Sequence, residues 1–73
     1  MDIFSIRLKE ERKAKGFSQL SFANELQISR STYKSYEHIG EKHGREPSFD
    51  MVRKIAVILD ITTDYLFGLE DLK

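Results

Sequence analysis

Apolar positions along this chain recur at helical spacing. Phe4 and Leu8 lie four apart within a stretch, 2–15, that is otherwise mostly charged, and Phe17 follows just beyond Gly16. Residues three and four apart share one face of a helix. The stretch 2–15 therefore reads as a first helix with Phe4 and Leu8 inward and Gly16 at its end, where a left-handed glycine commonly stops a helix. Glu11 falls on the same side, where a leucine would be expected, with Arg12 beside it. Phe22, Ala23 and Leu26 repeat the spacing behind Ser18, and Tyr33 and Tyr36 follow behind Ser29. Each serine is a good N-cap, because its hydroxyl accepts from an unpaired amide of the first turn. After Pro47-Ser48, the positions Phe49, Val52, Ile55, Ala56 and Leu59 form the strongest stripe, widened by Met51, Val57 and Ile58. Asp60-Ile61-Thr62 interrupts it, and Thr62 caps a last helix through Tyr65, Leu66 and Phe67 to Gly68. The pattern predicts an all-α fold, a compact bundle of about five short helices over 2–15, 18–26, 29–37, 48–59 and 62–68, with a polar loop over 38–47. Ile3, Ile6 and Leu20 fall outside the inward stripes; single exposed apolar residues are ordinary.

The middle of the chain carries the candidate chemistry. Gln27-Ile28 separates two short helices, 18–26 and 29–37, and two helices joined by so tight a break form a helix-turn-helix arrangement. On the second, Tyr33 and Tyr36 take one side, and Arg30, Ser31, Lys34 and Ser35 take the other. Short hydroxyls flanked by two cations can donate to guanine edges, accept from bases or bind phosphates. An ordinary solvated face has the same composition, so this reading depends on where Arg30 and Ser31 sit: in the first turn, where a recognition helix meets base edges.

Charge and composition narrow the classes. The chain has 73 residues, enough for a single domain that buries only about 60% of its unfolded surface. Its net charge of zero argues, on its face, against nucleic acid. The distribution softens that objection. Residues 1–36 carry seven Lys/Arg against four Asp/Glu, and residues 37–73 carry five against eight. Screening confines electrostatics to roughly 10 Å at moderate salt, so a basic half can dock on DNA with an acidic half turned away. Absence of cysteine removes disulfides, thiolate nucleophiles and Cys-based zinc sites. Without a glycine-rich phosphate loop or a Ser/His/Asp set, an enzyme is not expected, nor is any cofactor. His38, Glu41 and His43 in the loop read as solvated side chains rather than metal ligands. Met1 opens directly on an amphipathic pattern with no signal peptide ahead of it, and the apolar runs are short of a membrane span, so the expectation is a cytoplasmic protein with no membrane partner.

GFSQLSFANELQISRSTYKSYE resembles the core of the phage repressor and Cro family of helix-turn-helix DNA-binding domains, the XRE-type regulators with a lambda-repressor-like fold. PSFDMVRKIAVILDITTDYLFG resembles the closing helices of the same family, so the likeness covers about residues 4–68. The resemblance implies roles residue by residue. Gln19, with the amides of its helix N-terminus, would hold a DNA phosphate, a site the physics of helix termini favours. Arg30, Ser31 and Ser35 match base-contacting positions. Thr32 and Lys34 lie nearer the flanking backbone, with the Tyr36 hydroxyl available to a phosphate. Gly40, Lys42 and Arg45 of the loop would meet phosphates. Arg12 would pair with Glu37 and tie two helices together, where the plain alternative is a solvated cation. Paired half-sites in this family imply a homodimer on double-stranded DNA. Part of the set Met51, Val57, Ile58, Ile61 and Phe67 would then form a dimer face, with pairing through the last helix, unless it only completes the core.

Three departures from the family stand out. Gln27 occupies a turn position usually held by glycine, Tyr33 replaces a buried aliphatic, and the loop 38–46 runs to nine residues where about five is common. The leading expectation is a sequence-specific double-stranded DNA-binding transcriptional regulator, a repressor or control protein. The alternative is a protein-interaction module of the same fold, of the antitoxin or anti-repressor type.

Overall fold

The computed structural model describes residues 2–73; Met1, on which the amphipathic pattern opens, lies outside them. Five helices follow in order: α1 (Ile3–Ala14), α2 (Gln19–Leu26), α3 (Arg30–Tyr36), α4 (Phe49–Leu59) and α5 (Thr63–Leu66). Each begins on a residue whose side chain can cap. Asp2 accepts from the Phe4 amide at 2.8 Å, and Ser18, Ser29, Ser48 and Thr62 accept from the amides of Ser21, Thr32, Met51 and Tyr65 at 3.0–3.2 Å. Each such cap contributes about 1 kcal/mol.

Four helices end alike. Gly16, Gln27, Asp60 and Gly68 all have positive φ, between 56° and 82°. The next amide reaches back across each turn: Phe17 to Arg12, Ile28 to Ala23, Ile61 to Ala56 and Leu69 to Asp64, at 2.9–3.1 Å. This bond defines the Schellman ending and satisfies carbonyls that the helix leaves open. Gln27 therefore performs the turn that glycine performs elsewhere, at a cost of about 1 kcal/mol for its Cβ. The Lys54 ammonium donates to the Leu26 carbonyl at 3.1 Å and supports that turn from α4.

Packing follows the stripes with informative exceptions. α2 lies against α3 and α4, and α5 closes on α1 and α4. Phe4, Leu8, Phe22, Ala23, Leu26, Val52, Ile55, Ala56, Leu59 and Leu66 are buried together. Phe17, Phe22, Tyr33 and Tyr36 form a run of tilted and edge-on rings with centroids 5.1–6.3 Å apart. Phe49, expected in the core stripe, is instead 81% exposed. It occupies the first turn of α4, with no earlier turn to extend the buried stripe, and it stands beside a groove lined by Ile3, Phe67 and Pro47. Val57 is likewise exposed, on the side of α4 away from the stripe, whereas Ile61 is buried in the core and Met51 and Ile58 pack against it.

The chain end is tied to α1. The Arg7 guanidinium donates to the carbonyls of Tyr65 and Glu70 at 2.6 and 2.7 Å, pairs with Asp71 at 3.1 Å and lies 4.2 Å from the Tyr65 ring centroid. The buried Glu11 carboxylate, at the position where leucine was expected, meets the Lys73 ammonium at 2.8 Å.

The 38–47 segment is more ordered than a polar loop would be. Ile39 is buried, and its amide donates to the Ser5 hydroxyl at 3.0 Å, which itself donates to the Tyr36 carbonyl at 2.8 Å. Arg45 donates its amide to the Ser35 carbonyl at 3.1 Å, so the segment returns to α3. Gly44 permits this closure: a Cβ there would lie 1.8 Å from the His38 carbonyl oxygen. Gly44→Ala should therefore destabilise the protein by about 1–3 kcal/mol, since backbone must move to admit the methyl. Urea unfolding measures this, and a change near zero would show that the loop is not packed as described.

Candidate nucleic-acid interface

The surface that carries Arg30 and Ser31 is held in place from beneath by one carboxylate. Glu37 follows the last residue of α3 and is 1% exposed. Arg12 of α1 donates to it through Nε at 2.7 Å and Nη2 at 3.3 Å, and through Nη1 to the Phe17 carbonyl at 2.8 Å. Gln19, the first residue of α2, donates its amide N–H to Glu37 Oε1 at 3.1 Å. The Tyr33 hydroxyl donates to Oε2 from one turn back on α3. Three helices thus converge on one buried anion whose oxygens all have donors.

The electrostatics follow from that geometry. Burial by itself would raise the Glu37 carboxyl, but hydrogen bonds from Arg12, Tyr33 and Gln19, with the Arg12 charge, outweigh it and hold the group below the usual carboxylate range. Burial would lower Arg12, yet bonding to Glu37 and its charge raise it. Tyr33 is pushed up by burial first and then by the carboxylate it serves. At neutral pH the centre is an ionised pair bonded to a neutral phenol.

Above this centre, Arg30, Ser31 and Lys34 are exposed along α3. Thr32 is half-buried, and its hydroxyl accepts from Ser29 at 2.9 Å within the helix cap. Ser35 is 8% exposed on the side of α3 that faces the loop, its hydroxyl donating back to the Thr32 carbonyl at 2.5 Å. Tyr36 is 7% exposed, with its ring edge-on to Tyr33. Gln19 is half-buried and reaches Glu37 through one N–H, so its side chain stands at the α2 N-terminus with the second N–H uncommitted to that bond. Lys42 and Arg45 are exposed on the loop.

Between α3 and the loop lies a basin of about 440 Å³, with Ser31 and Lys34 on one wall and His38, Glu41, Lys42 and His43 on the other. Spacing alone did not bring these histidines beside α3; the Arg45–Ser35 bond and the close approach at Gly44 do. The Tyr33–Glu37 bond had a visible signal, since residues four apart share a helix face. Among the described residues no group of His, Cys, Asp or Glu is placed to hold a metal, and no helix is long and apolar enough to cross a membrane.

Comparison with known proteins places this geometry. Residues 8–66 match the helix-turn-helix family. The chain is 41% identical over 64 residues to the uncharacterized HTH-type transcriptional regulator YqaE of Bacillus subtilis (strain 168), covering 88% of this chain and 52% of that protein. It is 32% identical over 65 residues to the HTH-type transcriptional regulator ImmR of the same organism, covering 89% and 48%. The chain thus spans about half the length of the curated relatives it matches. Among solved structures, the N-terminal DNA binding domain of SinR from Bacillus subtilis superposes with a TM-score of 0.73 at 26% identity, covering 88% of each chain.

Removing the buried anion tests the centre. Glu37→Gln leaves the Arg12 charge without its partner and should cost about 3–5 kcal/mol at neutral pH. Because the folded-state pKa of Glu37 is depressed, its contribution is complete above the ordinary value of 4.5 and is lost as pH falls through the lower folded value. The stability gap between wild type and Glu37→Gln should therefore narrow in acid. Urea titrations from neutral pH to about pH 3 measure it; a gap independent of pH would mean that Glu37 is not held as an anion.

Proposed function

Since the chain belongs to the helix-turn-helix family, we propose that it is a sequence-specific, double-stranded DNA-binding transcriptional regulator, acting as a repressor. α3 enters the major groove and α2 braces across the backbone, the docking that this motif permits. The observation that carries the reading is the buried Glu37 centre, which locks α1, α2 and α3 together and leaves Arg30, Ser31 and Lys34 outward on a firmly positioned helix. Arg30 is the residue proposed for bidentate donation to guanine, with Ser31 beside it. Gln19 and the α2 amides take a phosphate on one flank, and Lys34, Lys42 and Arg45 meet backbone on the other. The mostly covered Ser35 and Tyr36 contribute by shaping α3 rather than by reaching far from it.

The protein would act as a homodimer, with half-site centres about 34 Å apart. Exposed Val57, Phe67, Leu69 and Leu72, toward the chain end, supply apolar surface for such pairing. One observation favours a second reading, a protein-interaction module: the groove beside Phe49, where Ile3 and Phe67 are also exposed. Salt separates the two, because a protein making several phosphate contacts loses DNA affinity steeply as salt rises.

Selection from a random DNA pool should recover an inverted repeat. Against that duplex, Arg30→Ala should lose about 1–3 kcal/mol of discrimination while keeping salt-sensitive general binding. Gln19→Ala should weaken binding to all sequences alike. If neither variant changes affinity for the selected duplex in a gel-shift titration, the proposed docking is wrong.

A further inference from the structure

We infer that the apolar groove at the N-terminal ends of α1 and α4 is a docking site for a partner protein, one that presents a helix with apolar side chains on one face and Lys or Arg beside them. The inference rests on the interaction reading of that groove and names the partner's chemistry. It does not require α3 to leave DNA, since no residue of α2 or α3 lines the groove.

The groove has a volume of about 410 Å³. Buried Phe4, Ile39 and Val52 form its floor, and exposed Ile3, Phe49 and Phe67 stand around it. Its walls are fixed before anything binds. The Ile39 amide is held on the Ser5 hydroxyl at 3.0 Å, and the Phe67 ring packs on Phe4 with centroids 5.7 Å apart. Gly68 lies so close to Ile3 that a Cβ would meet its side chain at 3.0 Å. A site already in its bound shape avoids the cost of ordering loops. Phe49 stands mostly in water at the edge, so an occupant confined to the groove would leave it uncovered. Covering floor and rim together takes a macromolecular surface.

Charge selects the partner. Both charged side chains lining the groove are carboxylates, Asp2 and Glu46, and each is exposed. Asp2 uses one oxygen to cap the Phe4 amide at 2.8 Å, which leaves its second oxygen for a partner. Such a rim repels nucleic-acid phosphates and anionic lipid. A second copy of this chain across a twofold axis would bring the same patch, with the same carboxylates, against itself. A partner with Lys or Arg beside its apolar side chains is the complement. Its conformation follows from the donors that are missing, because the lining side chains offer carboxylate acceptors but no N–H or O–H. An extended segment would bury carbonyls there without partners, whereas a helix bonds its own backbone and presents side chains at three-and-four spacing.

The test selects from a displayed library of helical peptides against the full chain and titrates the most enriched peptide by fluorescence anisotropy. That peptide should carry apolar residues three or four apart with Lys or Arg beside them. Phe49→Ser should weaken its binding by about tenfold or more. Asp2→Asn, which keeps a capping side chain, and Glu46→Gln should each weaken it by about two- to fivefold, an effect that fades at high salt. Thermal melts confirm that these surface variants fold. Arg30→Ala should leave the peptide affinity unchanged, and Phe49→Ser should leave any duplex affinity unchanged, so the groove and the DNA-binding reading fail or stand separately. No enriched peptide, an acidic one, or equal binding by Phe49→Ser overturns the inference. So does a self-association of the wild type that Phe49→Ser abolishes in sedimentation, since the occupant is then a second copy.

Discussion

The Glu37 carboxylate sets the geometry on which the joining of α1, α2 and α3 depends. It lies just past α3, a helix only seven residues long and too short to be stable in water by itself. Orientation must come from tertiary contacts, and these converge on a single side chain: Arg12 from α1, Gln19 from α2 and Tyr33 from α3 itself. Taking such an anion out of water is costly, and full ligation offsets the cost. What the protein gains is directional. Apolar packing tolerates small rotations of a helix, whereas oxygens with assigned donors do not.

That centre connects packing to function through Gln19. Its side chain touches the carboxylate that organises the interior, while its backbone belongs to the α2 N-terminus that the proposed docking sets against phosphate. Tyr33 completes the arrangement with two interactions from one residue. Its ring joins the aromatic run from Phe17 to Tyr36, and its hydroxyl reaches the anion. An aliphatic side chain there could fill the space but would supply neither the ring contacts nor the hydrogen bond to the centre.

The 38–46 loop is built into the fold at both ends. Ile39 and Ser5 fasten its beginning and the Arg45–Ser35 bond its end, so the residues between them form a wall beside α3. The proposed operator-facing surface is thereby bordered by His38, Glu41, Lys42 and His43. Ile39 and Glu46 of the same loop also line an apolar groove with Ile3, Phe49 and Phe67, where Asp2 is the other acidic neighbour.

The helices, their caps and most of the core were legible in the sequence, because each rests on short-range physics. Ser18, Ser29, Ser48 and Thr62 announce helix starts, Gly16 and Gly68 announce ends, and the three-and-four spacing of Phe22, Ala23, Leu26, Val52, Ile55 and Leu59 marks what is buried. The Arg12–Glu37 pair entered only through family resemblance, since its partners are 25 positions apart and no local rule joins them. Tertiary structure alone decided that Phe49 stays outside, that Ile39 goes in and that the loop covers Ser35. It also decided that His38 and His43 stand beside α3. In each case the reason is the same: helical periodicity assigns a residue to a face, but only the neighbouring elements determine whether that face is covered, and by what.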